Sequence, residues 1–271
     1  SGSITGGGGT TTVGPDTGTS TGAATATTPA TGADTAASAA ARTGSSKGTT
    51  NTSTASPGAS SGFITLAIAG DTPVWTGLVS GAWTTTTIGG AQNWKLQTAG
   101  TGTEFLTNDQ VLFDDTATGT TAVTINDATV SPASTVFNNS TKNYTLSGSN
   151  GITSGTLAKL GTGTVTISTA NTYAGETSIN GGTLIAGNGA ALGSVAAGTT
   201  VASGATLDIN SQNLSTEVLT ISGSGVGGNG ALVNNGASDQ INATGRIVLA
   251  ADATIGGTRR WDLRNSTPTL N

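Results

Sequence analysis

The stretch LAKLGTGTVTISTANTYAGETSINGGTLIAGNGAALG, residues 157–193, decides the fold. Apolar and polar residues alternate in its short runs, as at Val165 and Ile167, and glycine and asparagine separate the runs. Alternation with a period of two, interrupted by turn residues, predicts short β-strands. Related triplets return along the chain, with GTL at 182–184 and ATL at 205–207. Such recurrence predicts a solenoid whose successive coils stack on one another.

The chain is therefore predicted to be all-β, with a parallel β-helix, or β-solenoid, over residues 120–271. Val, Ile and Leu would form its inner rows, and Gly and Asn its corners. A β-sandwich or jelly roll is the alternative, because it also has short, regularly spaced strands. Residues 62–119 are expected to form an N-terminal β cap. Residues 1–61, mostly Ser, Thr, Gly and Ala, are expected to be an extended low-complexity segment.

Composition narrows the class of protein. Charged residues make up 8 % of the 271 residues and the net charge is -5, whereas ordinary globular proteins have roughly 25 % charged residues. The charges form no basic patch, so we expect no nucleic-acid partner. No apolar run reaches the length of a membrane-spanning helix, so we expect no membrane span. A sparsely charged chain rich in Thr and Ser, without Cys, favours an extracellular or cell-surface location.

The inventory of reactive side chains is poor. The absence of His and Cys removes the commonest general base, the commonest metal ligands and the thiol nucleophile. We therefore predict no catalytic, cofactor-binding or metal-binding residues. The remaining candidates for polysaccharide cleavage are Glu104, Asp109, Asp114 and Asp115. A calcium site could be formed by Asn108, Asp109, Asp114 and Asp115, since hard cations bind oxygen ligands. Since Asp114 and Asp115 are adjacent, they would point to opposite faces of a strand, and FDD is expected to end a strand in a turn.

The aromatic residues allow two interpretations. They could stack on carbohydrate from an exposed face, or they could pack in the cap and the core, and packing is favoured. The residues concerned are Trp75, Trp83, Trp94, Trp261, Tyr144 and Tyr173.

The C-terminal sequence WDLRNSTPTLN continues the strand pattern without a polar capping unit after Thr267. A bare solenoid end exposes backbone N–H and C=O groups that can pair with another chain. We therefore expect copies of this chain to assemble head-to-tail into an extracellular filament, a helical homopolymer. The expected assembly contacts are Phe63, Ile64, Leu66 and Ile68 of GFITLAIAG, with Arg259, Arg260 and Trp261. The alternative for the two arginines is a solvated strand end.

The N-terminal segment carries two further expectations. It could donate a strand to a neighbouring subunit, pair with its own chain, or be ordered by a coat of sugars. A Ser/Thr tract of this kind is typical of covalently glycosylated stalks. The candidate glycan acceptors are Thr10, Thr11, Thr12, Thr27, Thr28 and Asn51.

The stretch 157–193 resembles the autotransporter-associated β-strand repeat, a PATR-like family of secreted bacterial surface proteins. The matching residues are Leu157, Lys159, Gly161, Gly163, Val165, Ile167, Asn171, Tyr173, Gly175, Thr177, Gly182 and Leu184. Residues 74–156 are similar to the module that often precedes this repeat. The resemblance implies a right-handed parallel β-helix on a bacterial surface without enzymatic activity. It also implies the alternative function, a fragment of a large autotransporter-like adhesin that binds carbohydrate or a host surface.

Overall fold

The computed structural model describes residues 70–86, 88 and 92–263, together with the backbone of Gly2–Gly6, Gly9–Val13 and Thr269–Leu270. In this part of the chain there is no α-helix, and Val226–Gly228 forms one short 3-10 turn. The strands, in chain order, are β1 (Gly2–Gly6), β2 (Gly9–Val13), β3 (Pro73–Trp75), β4 (Trp94–Leu96), β5 (Gly102–Thr103), β6 (Gln110–Asp114), β7 (Ala122–Thr124), β8 (Ser134–Asn138), β9 (Tyr144–Ser147), β10 (Leu157–Leu160), β11 (Thr164–Ile167), β12 (Thr177–Ile179), β13 (Thr183–Ala186), β14 (Thr199–Val201), β15 (Thr206–Asp208), β16 (Val218–Gly223), β17 (Leu232–Asn234), β18 (Gln240–Ile241), β19 (Arg246–Ala253), β20 (Ile255–Gly257), β21 (Trp261–Asp262) and β22 (Thr269–Leu270).

Two sheets run side by side along the molecule. Among the described strands, the long sheet has the order β22-β19-β16-β14-β12-β10-β8-β6-β3-β4-β5, and the short sheet has the order β20-β17-β15-β13-β11-β9-β7. From β6 and β7 onward, neighbouring strands of both sheets pair in parallel. Each coil thus gives one strand to each sheet and stacks on the coil before it. This arrangement confirms the predicted all-β solenoid, and the alternative of a β-sandwich is wrong.

Parallel register places like positions of successive coils in columns, and the inward columns form the core. In the long sheet, Phe113 pairs with Phe137, which pairs with Lys159, and Lys159 pairs with Ile179. In the short sheet, Val165 lies between Tyr144 and Leu184. All the apolar members of these columns are buried, and burying each large aliphatic side chain stabilises the fold by about 1.5–3 kcal/mol.

The corners between strands require glycine where the coils approach closely. Gly182 follows β12 with φ +62°, and a Cβ there would lie 2.2 Å from the carbonyl oxygen of Gly163 in the preceding coil. Gly161 occupies the equivalent corner one coil earlier, with φ +65°. A side chain at these corners would be strained by the left-handed backbone and by contact with the neighbouring coil.

The N-terminal end of the solenoid is covered. β3 pairs in parallel with β6 and antiparallel with β4, which continues antiparallel to β5. On the other sheet, Trp83 N–H donates to the Thr124 carbonyl at 2.9 Å, and Thr124 N–H donates to the Gly81 carbonyl at 2.7 Å. The parallel ladder already includes β6, which precedes the boundary proposed at residue 120. The predicted division into a cap and a solenoid stays a prediction.

At the other end, the last coils are less regular. The pairing of β16 with β19 shifts register between Ile221 and Gly223. β20 is the last described strand of the short sheet, and Leu249 and Ile255 each expose more than 40 % of their surface. The apolar columns therefore reach solvent at this end within the described residues.

Gly182→Ala and Gly204→Ala form a matched pair that tests the corner. Both glycines have positive φ, but a Cβ at Gly204 meets nothing within 4 Å. We expect Gly204→Ala to lower the free energy of unfolding by about 1 kcal/mol and Gly182→Ala to lower it by roughly 3 kcal/mol. Urea denaturation of the two variants measures the difference. Equal losses would mean that close approach of the coils does not constrain this corner.

Candidate functional site

Lys159 lies inside the solenoid, near the start of the stretch 157–193. It points inward from β10 between Phe137 and Ile179, and it is fully buried. Its ammonium group donates hydrogen bonds to the carbonyls of Leu160, Gly161 and Gly181. Gly161 and Gly181 lie at the corners of two successive coils, so this one cation binds the two corners together.

Burial dominates the electrostatics of Lys159. Loss of hydration lowers the pKa of its ammonium group to about 8, and the carboxylate of Asp115 opposes this shift. Between pH 8 and 10.5, the Lys159 side chain is therefore mostly protonated in the unfolded chain and mostly neutral in the folded chain. Lys159 therefore makes the free energy of unfolding rise with pH across that interval.

Asn171 joins three coils. Its Oδ1 accepts hydrogen bonds from the Ile152 N–H at 2.9 Å and from the Thr169 hydroxyl at 2.9 Å. Its Nδ2 donates to the Ala191 carbonyl at 2.7 Å. Because Asn171 is buried, an apolar replacement would leave these partners unsatisfied at a cost of about 1–3 kcal/mol for each group.

Tyr173 and Thr177 form a second buried link between coils. The Tyr173 and Thr177 hydroxyl oxygens are 2.7 Å apart, and the Thr177 hydroxyl donates to the Leu192 carbonyl at 2.9 Å. Thr177 has a single hydroxyl proton, so Tyr173 must be the donor in their shared bond. Gly193 leaves room for the tyrosine ring, since a Cβ there would lie 2.7 Å from the ring.

Glu217 is a buried acid in the same interior. The Thr199 hydroxyl donates to its Oε1 at 2.8 Å, and the Thr244 hydroxyl donates to its backbone carbonyl at 2.8 Å. Burial raises the pKa of the Glu217 carboxyl, and the Thr199 hydrogen bond opposes the shift. Burial also raises the pKa of Tyr173, and the nearby Glu217 adds to that increase.

The carboxylates considered for catalysis or calcium binding serve loops instead. Asp115 accepts the N–H groups of Ser140, Thr141 and Lys142 in the next coil at 2.9–3.0 Å, and these bonds lower the pKa of its carboxyl. Asp114 is the last residue of β6, and its Oδ1 accepts both the N–H and the hydroxyl of Thr116. The prediction that FDD ends a strand in a turn is confirmed.

The other acidic candidates also bind backbone groups. Asp109 Oδ2 accepts the Leu106 N–H at 2.9 Å, and Glu104 Oε1 accepts the Ile88 N–H at 3.2 Å. Asn108 occupies a turn with φ 69°. Within residues 70–86, 88 and 92–263, no group of three or more Asp and Glu residues is placed to hold a metal ion.

The aromatic residues pack inside the protein, with one exception. Trp75 and Trp94 meet edge to face with their ring centroids 5.0 Å apart, and Phe113 stacks on Phe137 at 4.6 Å. The buried members of the predicted set are Trp75, Trp83, Trp94, Tyr144 and Tyr173. Their predicted packing role is confirmed, and a role as exposed carbohydrate platforms is wrong for these five.

Trp261 is half-buried at the C-terminal end. Its indole N–H donates to the Gly256 carbonyl at 3.2 Å, and it lines an open depression of about 390 Å³ with Ile247 and Ile255. Arg259 and Arg260 line the same depression. The use of Arg259, Arg260 and Trp261 in assembly stays a prediction.

Arg260 already has an ionic partner in its own chain. Its guanidinium lies 2.7 Å from Asp262 Oδ2, and its side chain is 58 % exposed. An exposed pair of this kind contributes at most about 1 kcal/mol, so Arg260 can exchange partners at little cost.

The remaining predicted residues lie outside the described side chains. Neither the expected apolar contacts nor the candidate glycan acceptors can be placed: Phe63, Ile64, Leu66, Ile68, Thr27, Thr28 and Asn51 fall outside the described residues, and Thr10, Thr11 and Thr12 are described only as backbone of β2. Val226–Gly228 is the one helical segment that the described residues contain, and it is far too short to cross a membrane.

Sequence reasoning assigned no role to Lys159, Asn171 or Glu217. For Lys159 and Glu217, the alternation of inward and outward positions along a strand was an available signal. Lys159 is two residues after the inward Leu157, and Glu217 is two residues before the inward Leu219. A charged residue in an inward position predicts a buried polar contact.

Comparison with known proteins agrees with this architecture. Residues 157–186 match the family model of the passenger-associated-transport-repeat. A curated relative, the adhesin BmaC autotransporter of Brucella suis biovar 1 (strain 1330), is 38 % identical over 100 residues, which are 34 % of this chain and 3 % of the relative. No solved structure matches this chain.

These matches confirm the resemblance to autotransporter-associated repeats. The matched residues 157–186 run from the start of β10 to the end of β13, so the repeat supplies the two strands of two successive coils. The matches also confirm the predicted extracellular or cell-surface location. The chain spans only 3 % of the length of the curated relative.

Glu217→Gln tests the buried acid with little change of shape. Because folding raises the pKa of Glu217 above its unfolded value of 4.5, its stabilising contribution is complete below pH 4.5 and is lost as pH rises through the folded pKa. Glutamine keeps an acceptor for Thr199 and carries no charge. We expect the variant to be more stable than the wild type at pH 7, because the buried carboxylate loses hydration and the glutamine amide carries no charge.

The measurement is the free energy of unfolding of both proteins from pH 3 to pH 8. The difference between them should grow as pH rises above 4.5, which separates Glu217 from the other titrating groups. A difference that does not depend on pH would mean that Glu217 is as well hydrated in the folded chain as in the unfolded chain.

Proposed function

We propose that this chain is part of the passenger of an autotransporter adhesin, and that its solenoid presents a binding surface for carbohydrate or a host surface. The observation that carries the proposal is the passenger repeat at 157–186 in a chain that resembles the adhesin BmaC autotransporter. A stack of coils suits this role, because each repeat adds length and outer surface while its core stays the same.

The outer face of the short sheet supports the proposal. Its outward positions include four threonines on neighbouring coils. Thr166 pairs with Thr145 in one column, and Thr164 pairs with Thr183 in the adjacent column. All four side chains are at least partly exposed, and none carries charge. On β9, β11 and β13, these hydroxyl and methyl groups suit an uncharged, hydroxyl-rich partner better than a polyanion.

A role without catalysis is part of the proposal. Support comes from the acids that could have cleaved a polysaccharide, because Glu104, Asp109, Asp114 and Asp115 each bind backbone N–H groups of loops. Residues held in this way contribute to the architecture of the corners.

Self-assembly into a filament is the other function that the sequence suggested, and it stays a prediction. The two ends of the described solenoid differ, since antiparallel strands lie at the N-terminal end while apolar side chains in β19 and β20 are exposed. The passenger interpretation is favoured, because the repeat match and the adhesin relative both support it.

The experiment measures adhesion of beads that carry the full chain to cultured epithelial cells. We expect beads with the folded chain to bind several-fold more than beads coated with urea-unfolded chain. Equal binding of the two preparations would contradict the adhesin proposal. Negative-stain electron microscopy of the soluble chain at the same concentration would show regular filaments if self-assembly were the function.

A matched pair of substitutions tests whether the outer face of the short sheet is the binding surface. Thr166→Lys places a charge on the short sheet, and Ser178→Lys places one on the long sheet, at positions that are both half-buried and outward. We expect only Thr166→Lys to reduce adhesion. A loss with Ser178→Lys alone would move the binding surface to the long sheet.

A further inference from the structure

The corners that build the solenoid also contain a reactive dipeptide. Asparagine precedes glycine at five places in the chain: Asn150, Asn180, Asn188, Asn229 and Asn235. In this dipeptide the glycine nitrogen can attack the side-chain amide carbon of asparagine, because glycine has no Cβ to hinder the approach. The attack requires a side-chain amide that can rotate and a glycine N–H that is not held elsewhere.

Two of the five pairs have both groups held. Asn229 Nδ2 donates to the Val226 carbonyl at 3.2 Å, and Gly230 N–H donates to the Ser224 carbonyl at 2.8 Å. Asn235 Oδ1 accepts the Thr258 N–H at 3.1 Å. The glycine after Asn235 donates its N–H to Asn234 Oδ1 at 3.2 Å.

Two more pairs have the asparagine side chain held. Asn150 Nδ2 donates to the Asn126 carbonyl at 2.7 Å. Asn188 Oδ1 accepts the Ala190 N–H at 2.9 Å. In each of these two pairs, the hydrogen bond must break before the asparagine side chain can turn toward the following glycine.

Asn180 differs from all four. It follows β12 at an exposed corner, and its own N–H donates to the Lys159 carbonyl at 2.8 Å, which fixes the backbone. Within the described part of the chain, neither the Asn180 side chain nor the Gly181 N–H forms a hydrogen bond. Both reacting groups are therefore free at a corner that is itself firmly placed.

We propose that Asn180 is the residue at which this chain modifies itself by deamidation. The Gly181 nitrogen forms a bond to the Asn180 side-chain carbon and loses its proton, and the bond from that carbon to the side-chain nitrogen breaks. The nitrogen leaves as ammonia, which leaves a cyclic imide. Water then opens the imide at one of its two carbonyls and gives either aspartate or isoaspartate at position 180.

The modification would act on the corner that Lys159 holds. The Gly181 carbonyl, 3.3 Å from the Lys159 ammonium, belongs to the residue that reacts. Isoaspartate lengthens the backbone by one carbon at this corner, and either product adds a negative charge near a buried cation. The inference does not depend on the proposed adhesin function, since it concerns only the chemistry of the corner.

The test incubates the full folded chain in mildly alkaline buffer and maps deamidation by mass spectrometry of its peptides over time. We expect the peptide with Asn180 to gain a carboxyl group about tenfold faster than the other four, because the held pairs must first break hydrogen bonds. The same chain in urea is the control, and there the five pairs should react at similar rates.

Asn180→Gln completes the experiment. The variant should lose the early product and leave the slow products unchanged. Faster reaction at any of the other four asparagines in the folded chain would overturn the proposal. So would the absence of reaction at Asn180. The proposal would also be wrong if the five asparagines reacted in the same order of rates in the folded and the unfolded chain.

Discussion

Hydrogen bonding between coils is the constraint on which the rest of this structure depends. The backbone groups of the strands pair with the coils on either side, but at the corners the backbone turns and keeps only part of that pairing. Side chains from an adjacent coil then supply the missing partners, because buried N–H and C=O groups are costly when unpaired. In the interior, the Asn171 amide accepts from one N–H group and donates to one carbonyl, and the Lys159 ammonium binds carbonyls. At an exposed corner, the Asp115 carboxylate binds N–H groups of the next coil.

This constraint explains why a chain with so few charges keeps some of them inside. Lys159 and Glu217 are buried although ionised groups lose hydration in the interior. Burial lowers the pKa of Lys159 and raises the pKa of Glu217, and both shifts favour the neutral form of the side chain. The polar residues of the corners are thus committed to the fold, and the outer faces are left with small, neutral side chains. A repeat of this kind can extend a surface structure while adding few charged groups to its outer faces, which agrees with the proposed adhesin passenger.

Strand alternation predicted the strands and the inner rows of Val, Ile and Leu, because those features depend on periodicity. The preference of large aromatic side chains for the interior predicted the packing of Trp75, Trp83 and Trp94. The corner contacts were not predictable in the same way, since the partner of Asn171 at Ala191 depends on coil length and register. The burial of Lys159 and Glu217 was not predicted, although both residues occupy inward positions in the alternation of their strands. The register shift opposite β19 has no counterpart in the sequence pattern.

Amide hydrogen exchange on the full chain, comparing the wild type with Asp115→Ala, tests the central claim most directly. The N–H groups of Ser140, Thr141 and Lys142 are held by the Asp115 carboxylate, whereas those of β8 and β10 belong to the ladder. The account predicts slow exchange at residues 140–142 in the wild type and fast exchange there in the variant, with the strands still protected. Unchanged protection at residues 140–142 in the variant would contradict it.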